Sequence, residues 1–336
     1  MKTIRLFLKI ATAMLITITA CNSQPNQKND IQQKDEGIEL WPASVENTWG
    51  FVDKQGKFVI NPQYDNVGIF EEGLASVEVN GKRGYIDKQG KIVINPQFDF
   101  AMYFSEGLAM VSVGLNLYGF IDKQGEYVVN PQFYLAQPFT EGLASVTFEK
   151  EWGYINKQGE VVIKPQFSFA HPFSEGLAGV EISGKNGFID KQGYFVINPQ
   201  FDDVGSFSEG LASVKINGEW GYIDNQGTMV ITPQFYQVYP FSEGLASVET
   251  DGKWGYVDNQ GTMVITPQFE QAYPFSEGLA CVETGGKWGF VDNQGTMVIT
   301  PQFEHTFSFR NGLAQVRIEG KLGLIDKQGI VVYKES

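Results

Sequence analysis

The chain has 336 residues, a formal net charge of −14 and an aromatic content of 14%. A surface this acidic repels phosphate backbones and no basic patch offsets it, so the composition argues against nucleic-acid binding. The hydrophobic content of 42% is enough to build a core, so we expect the larger part of the chain to be folded.

The first residues are typical of an export signal, which we place at 1–20. An apolar run over 10–19 follows three basic residues and is too short to cross a bilayer. The run ends in Ile-Thr-Ala-Cys, which resembles the signal of bacterial lipoproteins. That resemblance implies cleavage before Cys21, lipid attachment to Cys21, and anchoring to a membrane of the bacterial cell envelope, at the outer membrane or cell surface. The alternative is an ordinary secretory signal in which the cysteine is incidental.

The segment that follows the signal is rich in Asn, Gln and charged residues. It contains no aromatic residue before Trp41. Such a segment cannot bury enough apolar surface to offset the entropy lost on ordering. We therefore predict a flexible tether over 21–40 and a folded domain over 41–336.

The folded domain is a tandem array. A unit of about 34 residues recurs about eight times, and a fixed period of this length indicates a repeat architecture. The glycine of its Trp-Gly-type pair marks the period at Gly50, Gly84, Gly119, Gly153, Gly187, Gly221, Gly255, Gly289 and Gly323.

Each repeat predicts short strands, as the unit over 82–115 illustrates. Its first strand, over 84–87, stops at Asp-Lys-Gln-Gly, which is typical of a type I turn followed by a G1 bulge. The second strand, over 92–94, runs into Asn-Pro-Gln-Phe. Proline cannot donate to a ladder, so it should end this strand or lie on a sheet edge.

The third strand of the same unit, over 108–113, follows a longer loop that ends in Glu-Gly. Apolar and polar residues alternate in this strand in most repeats, and a period of two indicates a half-buried strand. An Asn-Gly turn such as that at 80–81 then leads into the next repeat.

These features predict an all-β fold of tandem three-stranded repeats. The period also matches the helical tetratricopeptide unit, but four glycines and a proline in each repeat are incompatible with long helices. Thirty-four residues is short for a four-stranded propeller blade, so we predict an open β-solenoid-like array. A closed β-propeller is the alternative, because about eight units suit a ring.

The recurring motifs, xG(Y/F)(I/V)D(K/N)QG, (V/I)(N/T)PQ(F/Y) and F(S/T)EGLA, resemble those of the bacterial WG-repeat family. The resemblance covers about residues 49–334. It implies an exported or surface repeat protein, generally without an assigned activity.

Two acidic columns are candidates for a metal or catalytic site. The first precedes the Gln-Gly turn and comprises Asp53, Asp87, Asp122, Asn156, Asp190, Asp224, Asp258, Asp292 and Asp326. The second precedes Gly-Leu and comprises Glu72, Glu106, Glu141, Glu175, Glu209, Glu243 and Glu277. Asp beside Gly serves calcium sites in some stacked repeats, but one carboxylate per turn favours capping of the turn backbone. We therefore predict turn caps and no metal site.

Aromatic columns are the other candidates. We expect the phenylalanines after Pro-Gln and before Ser-Glu-Gly to pack repeat on repeat. The tryptophan column also accepts Arg83 and Asn186, so we expect it to be partly exposed. Its tryptophans could stack on sugar rings or anchor a partner protein; they are Trp49, Trp152, Trp220, Trp254 and Trp288.

No other motif indicates chemistry. Cys281 stands where several repeats have serine, so we interpret it as a serine-like substitution. The sequence lacks a glycine-rich phosphate loop, a Ser/His/Asp set, HExxH and CxxC, so we expect neither enzyme activity nor a cofactor. The sequence predicts a lipid-anchored, non-catalytic scaffold in the cell envelope that binds protein partners. The alternative function is carbohydrate or cell-wall binding through the tryptophan column.

Overall fold

The computed structural model describes residues 39–114 and 117–335. The predicted signal peptide and Cys21 lie outside the described residues, as does the tether except for Glu39 and Leu40. All regular secondary structure in the described residues is β-strand, which confirms the all-β prediction.

Residue contacts divide the described chain into a first unit, residues 39–234 with Glu335, and a second unit, residues 235–334. The first three sheets contain β1 (Trp41–Val45), β2 (Thr48–Val52) and β3 (Phe58–Tyr64); β4 (Asn66–Val67), β5 (Leu74–Val79), β6 (Lys82–Asp87) and β7 (Ile92–Phe98); and β8 (Phe100–Ser105), β9 (Leu108–Ser112), β10 (Tyr118–Ile121) and β11 (Tyr127–Phe133). The next three contain β12 (Leu143–Phe148), β13 (Glu151–Asn156) and β14 (Val161–Phe167); β15 (Phe169–Ala170), β16 (Ala178–Ile182), β17 (Lys185–Ile189) and β18 (Phe195–Phe201); and β19 (Asp203–Val204), β20 (Leu211–Ile216), β21 (Glu219–Asp224) and β22 (Met229–Phe235).

The second unit continues the same pattern. Its sheets contain β23 (Gln237–Val238), β24 (Leu245–Thr250), β25 (Lys253–Asp258) and β26 (Met263–Phe269); β27 (Gln271–Ala272), β28 (Ala280–Thr284), β29 (Lys287–Val291) and β30 (Met297–Phe303); and β31 (His305–Thr306), β32 (Leu313–Ile318), β33 (Lys321–Asp326) and β34 (Val331–Lys334).

The described strands form nine sheets, and strands adjacent in sequence pair antiparallel within each sheet. Seven sheets have four strands, which is the construction of propeller blades. A β-solenoid would instead continue its hydrogen-bonded ladder from one repeat into the next. In the described residues the ladders stop at the sheet boundaries. The described sheets are therefore those of a β-propeller; the open solenoid-like prediction is wrong and its alternative is supported.

The prediction of three strands per repeat is also incomplete. The loop before Glu-Gly begins with a short additional strand in most sheets, such as β19, which pairs with β20 through Asp203–Lys215 and Val204–Val214. A two-residue strand is too short to show an alternating pattern, so hydrophobic periodicity cannot predict it.

The predicted turns have the predicted geometry. Gly90 adopts a φ of 79°, and its N–H donates to the carbonyl of Asp87 at 2.9 Å. The Asp87 N–H in turn donates to the carbonyl of Lys91, so the turn is a type I turn with a G1 bulge. At the Asn-Gly turn both Asn80 and Gly81 have positive φ, as a type I′ hairpin requires.

The glycine of the Trp-Gly-type pair is required by a close approach of backbone. A Cβ atom on Gly153 would lie 2.6 Å from the carbonyl oxygen of Ile163 and 2.9 Å from the nitrogen of Pro165. The bulge between β13 and β14 brings the Pro-Gln-Phe backbone over this glycine. The proline lies on the last strand of its sheet, which confirms the edge position.

The core is formed between repeats. In one cluster Tyr154, Ile163 and Phe167 of one sheet pack against Ala170 and Val180 of the next. Both phenylalanine columns are buried, as predicted, for example at Phe98, Phe133, Phe167, Phe201, Phe104, Phe139, Phe173 and Phe207. A single repeat therefore cannot close its own core.

Candidate functional site

The aspartate column caps its own turns. The Oδ1 atom of Asp87 accepts hydrogen bonds from the N–H groups of Gln89 at 3.0 Å and Lys91 at 2.9 Å. The same pair of contacts recurs at Asp53, Asp122, Asn156, Asp190, Asp224, Asp258, Asp292 and Asp326. Turn capping is confirmed for this column. In the described residues, no three His, Cys, Asp or Glu side chains are grouped so that they could hold a metal ion.

The glutamate column joins neighbouring repeats. Glu141 has a φ of 52° and forms, with Gly142, a type I′ turn. Its Oε2 atom accepts a hydrogen bond of 3.0 Å from the N–H of Gly176, in the next Glu-Gly turn. The left-handed backbone conformation of a glutamate costs about 1–2 kcal/mol, and the charge-assisted hydrogen bond offsets this cost. We call this contact the Glu latch; it is also formed by Glu72, Glu106, Glu175, Glu243 and Glu277.

A lysine reinforces some of the Glu latches. The Nζ atom of Lys191 lies 3.0 Å from Glu141 Oε2. The corresponding ion pairs are Lys123–Glu72, Lys157–Glu106 and Lys327–Glu277. For Glu175 and Glu243 the residue in the lysine position is Asn225 and Asn293, respectively. The Lys or Asn of the (K/N)QG motif therefore decides whether a lysine reinforces the latch.

The tryptophan column is more buried than expected. Trp152, Trp254 and Trp288 expose only 3–6% of their surface, whereas Trp49 and Trp220 are partly exposed. The expected partial exposure is wrong at the three buried positions, because their rings pack against other rings of the fold. Trp152, for example, lies 5.5 Å from Phe169, centroid to centroid. Sugar stacking stays a prediction for the two partly exposed residues.

The residue opposite the tryptophan column varies between repeats. We call this residue and its partner the cross-strand pair. Glu78 lies opposite Arg83, and the two form an ion pair of 3.1 Å. Lys215 lies opposite Trp220, with its Nζ 5.5 Å from the ring centroid. In two consecutive repeats the pair is a carboxylate and an indole, Glu249–Trp254 and Glu283–Trp288.

Aromatic rings surround these last two pairs. Tyr239 lies 5.4 Å from Trp254 and 5.7 Å from Tyr273, and Tyr273 stacks on Trp288 at 5.2 Å with an interplanar angle of 10°. Trp288 also contacts His305 at 5.7 Å. We call this set the aromatic ladder. The positions of Tyr239 and Tyr273 are occupied in earlier repeats by Gly68, Met102, Gln137, His171 and Gly205.

Two polar atoms beside the aromatic ladder are buried without a hydrogen-bond partner, Ser247 Oγ and Glu249 Oε2. Strand alternation places both residues on the face of their sheet that carries Tyr239. In an earlier repeat the equivalent Ser145 donates to Gln137 Oε1 at 3.0 Å. A tyrosine in place of that glutamine removes the partner.

Burial also shifts the pKa values of groups in this region. It raises the pKa of Tyr239 to about 12, with a contribution from the nearby Tyr273. Burial raises the pKa of Cys281 to about 12, so its thiol stays protonated. The Cys281 thiol lies 3.9 Å from Ser308 Oγ, consistent with a serine-like role in packing.

Eight stretches of the chain match the family described as "WG containing repeat". They are residues 49–82, 84–114, 118–150, 152–185, 187–220, 220–254, 254–288 and 288–321. The chain belongs to the WG-repeat family. Among curated protein sequences, nothing matches it significantly.

Solved structures show the fold of this WG-repeat chain but not its function. A eukaryotic initiation factor is 12% identical, with a TM-score of 0.66 over 89% of this chain and 96% of that one. The dihydro-haem d1 dehydrogenase NirN is 11% identical, with a TM-score of 0.50 over 93% and 81%. BamB from Moraxella catarrhalis is 11% identical over 91% and 96%, with a TM-score of only 0.44. At identities this low, structural similarity shows a related fold and does not indicate a shared function.

Within the WG repeats, sequence reasoning missed the Glu latch and the aromatic ladder. The ladder had a signal, because its column changes from Gly, Met, Gln or His to Tyr at residues 239 and 273. The Glu latch has no such signal, because the sequence does not distinguish a carboxylate that contacts the next repeat from one that faces solvent. In the part of the chain that is described, no helix is long and apolar enough to cross a membrane.

Proposed function

We propose that this WG-repeat protein is a non-catalytic scaffold for protein partners, held at the bacterial cell envelope by lipid on Cys21. The observation that carries the scaffold function is the use of the repeated acids. The aspartates cap turns and the glutamates latch one repeat to the next, so the side chains that recur most often maintain the fold.

The architecture supports the same function. The β-propeller is generally a protein-interaction scaffold, and repeats that share a frame can vary the side chains on their surface. In this chain the variation falls at the cross-strand pair and at the position of Tyr239, while the capping and latching residues are retained.

The anchor rests on the sequence before the described residues. The Ile-Thr-Ala-Cys signal and the polar segment after it favour a lipidated Cys21 and a tether that holds the domain away from the membrane. Several acyl chains together give stable attachment, whereas one alone is marginal.

Carbohydrate binding through the tryptophan column is the weaker alternative. Trp49 and Trp220 are partly exposed, but Lys215 already covers the ring of Trp220. A glycan array with the wild type and with Trp49 and Trp220 replaced by alanine tests it. Retention that is unchanged in the variant removes the sugar function.

The experiment for the main proposal uses the full-length protein in its source cells. Fractionation, mass analysis of the N-terminal peptide and chemical cross-linking are compared for the wild type and Cys21→Ser. We expect acylated Cys21, release of the variant from the membrane, and protein adducts of defined composition with the wild type. Turnover of a substrate by the purified protein contradicts the scaffold function, and full membrane association of Cys21→Ser contradicts the anchor.

A further inference from the structure

The cross-strand pair is where the chain places its own cations. In one repeat Arg83 pairs with the carboxylate of Glu78, and in another Lys215 lies over the ring of Trp220. A carboxylate and an aromatic ring are the two groups that bind a guanidinium or ammonium most strongly. The position therefore accommodates a cation through either group.

Two consecutive repeats have both groups at this position, and because their indoles are buried, the partly exposed rings of Tyr239 and Tyr273 beside them present the aromatic surface. Glu249 lies opposite Trp254, and Glu283 lies opposite Trp288. Among the described residues neither carboxylate forms an ion pair, and Glu249 Oε2 is buried without any partner. The residues Glu249 and Glu283 are nevertheless partly exposed, so a cation supplied from outside can approach them and neutralise a charge that has no partner within the described residues.

We infer that Glu249 and Glu283, together with Tyr239 and Tyr273, form a surface that binds arginine and lysine side chains of a basic segment in a protein partner. This inference rests on the proposed scaffold function and names the chemistry of the partner. Arginine fits best, because its planar guanidinium can pair with a carboxylate and stack on an aromatic ring at the same time.

The surroundings of the pairs fit an extended segment. Tyr239 and Tyr273 are partly exposed, and their rings lie 5.7 Å apart in consecutive repeats. Gln237 and Gln271, which lie in register with the two glutamates on the neighbouring strands, are exposed and can donate to a peptide backbone. The surface therefore offers the same acidic and aromatic combination twice in succession.

Charge complementarity selects a basic occupant over a second copy of this chain. The net charge of −14 attracts basic segments and repels another molecule of the same protein. Phosphorylated or acidic segments are disfavoured for the same reason. His305, which contacts Trp288, adds no positive charge at neutral pH because burial lowers its pKa.

The test is a titration of the full-length protein with a peptide of five Arg-Gly repeats. A second peptide carries citrulline, which keeps the shape of arginine but is neutral, at every arginine. Binding is followed by calorimetry and by tryptophan emission, to which Trp254 and Trp288 contribute. We expect saturable binding of the arginine peptide and at least about tenfold weaker binding of the citrulline peptide.

The variant Glu249→Gln/Glu283→Gln removes both carboxylates with little change of shape. Its control, Glu181→Gln/Glu219→Gln, removes the same charge; Glu181 lies in the same column opposite Asn186. We expect about tenfold weaker binding for the first variant and less than about twofold for the control. Equal losses in both variants, or equal binding of the citrulline peptide, overturn the inference.

A second variant, Tyr239→Gln/Tyr273→Met, introduces residues found at the same position in other repeats, Gln137 and Met102. We expect this variant to fold and to bind the arginine peptide several-fold more weakly, because the two aromatic rings are lost. Binding of oligosaccharides that needs these tyrosines but not the glutamates would overturn the inference in favour of a glycan site. If the cross-linked partners of the proposed-function experiment persist while the peptide fails to bind, only this inference fails.

Discussion

The repeats over residues 118–201 and those over 237–303 share one frame but differ in two places. Both keep the crowded glycine, the Asp cap and the Glu latch. The (K/N)QG motifs of the earlier region have lysine, as at Lys191, whereas those of the later region have asparagine, as at Asn293. The later region has tyrosine where the earlier one has Gln137 and His171. Residues that shape the backbone are therefore fixed, while side chains on the strands and turns are free to change.

The largest effect should come from the shared glycine, and it should be equal in the two regions. A Cβ on Gly187 or Gly289 would lie less than 3 Å from backbone atoms of Pro199 or Pro301. We expect Gly187→Ala and Gly289→Ala each to lower the free energy of unfolding by about 3 kcal/mol or more. Urea denaturation of each variant measures this change in the free energy of unfolding. A loss in only one region would show that the frame is not shared.

A pH-dependent effect should separate the regions at the position that holds His171 in one and Tyr239 in the other. Burial lowers the pKa of His171 to about 4, so the unfolded chain binds a proton at higher pH than the folded chain. Stability contributed by the neutral ring is complete above about pH 6.5 and is lost as the pH falls toward 4.

The variant His171→Gln adopts the residue of the preceding repeat and removes this titration. Between pH 7 and 4.5 the wild type should lose more stability than His171→Gln, by about 1–2 kcal/mol. The difference is modest because the histidine is partly exposed. Thermal unfolding at a series of pH values is the measurement, with Tyr239→Gln as the control. Identical pH dependence in the wild type and His171→Gln would contradict the burial of this group.

The Glu latch should matter in both regions, but more where lysine reinforces it. We expect Glu141→Gln to cost about 1 kcal/mol, because it weakens the contacts to both Gly176 and Lys191. Glu175→Gln, whose latch has Asn225 at the lysine position, should cost less. Equal values for the two would mean that the ion pair contributes nothing.

The smallest effect should come from exchanging the lysine itself. Lys191→Asn, beside Glu141, and Asn225→Lys, beside Glu175, convert each latch into the other type. We expect changes of opposite sign and of about 0.3–0.5 kcal/mol, since the side chains are about a third exposed. Both changes should shrink in 1 M salt. A salt-independent change would assign the effect to packing instead of charge.

Local chemistry made much of the fold readable. Asp87 and Gly90 predicted a type I turn with a G1 bulge, and the regular repeat of the phenylalanines predicted that they are buried. The assembly of repeats could not be predicted, because short strands such as β19 lack a pattern and pairing between repeats is not encoded locally. At the candidate site the tryptophans were identified, but their burial depends on rings such as Phe169 that are distant in sequence.

The most direct test of the binding function compares the two regions in cells. A photo-reactive benzoylphenylalanine is placed at Gln271, beside Glu283, and separately at Phe169, the same column of an earlier repeat. We predict protein adducts from position 271 that are lost in Glu249→Gln/Glu283→Gln, and few or none from position 169. Equal adducts at both positions, or adducts at 169 alone, would contradict a partner surface built on residues 237–303.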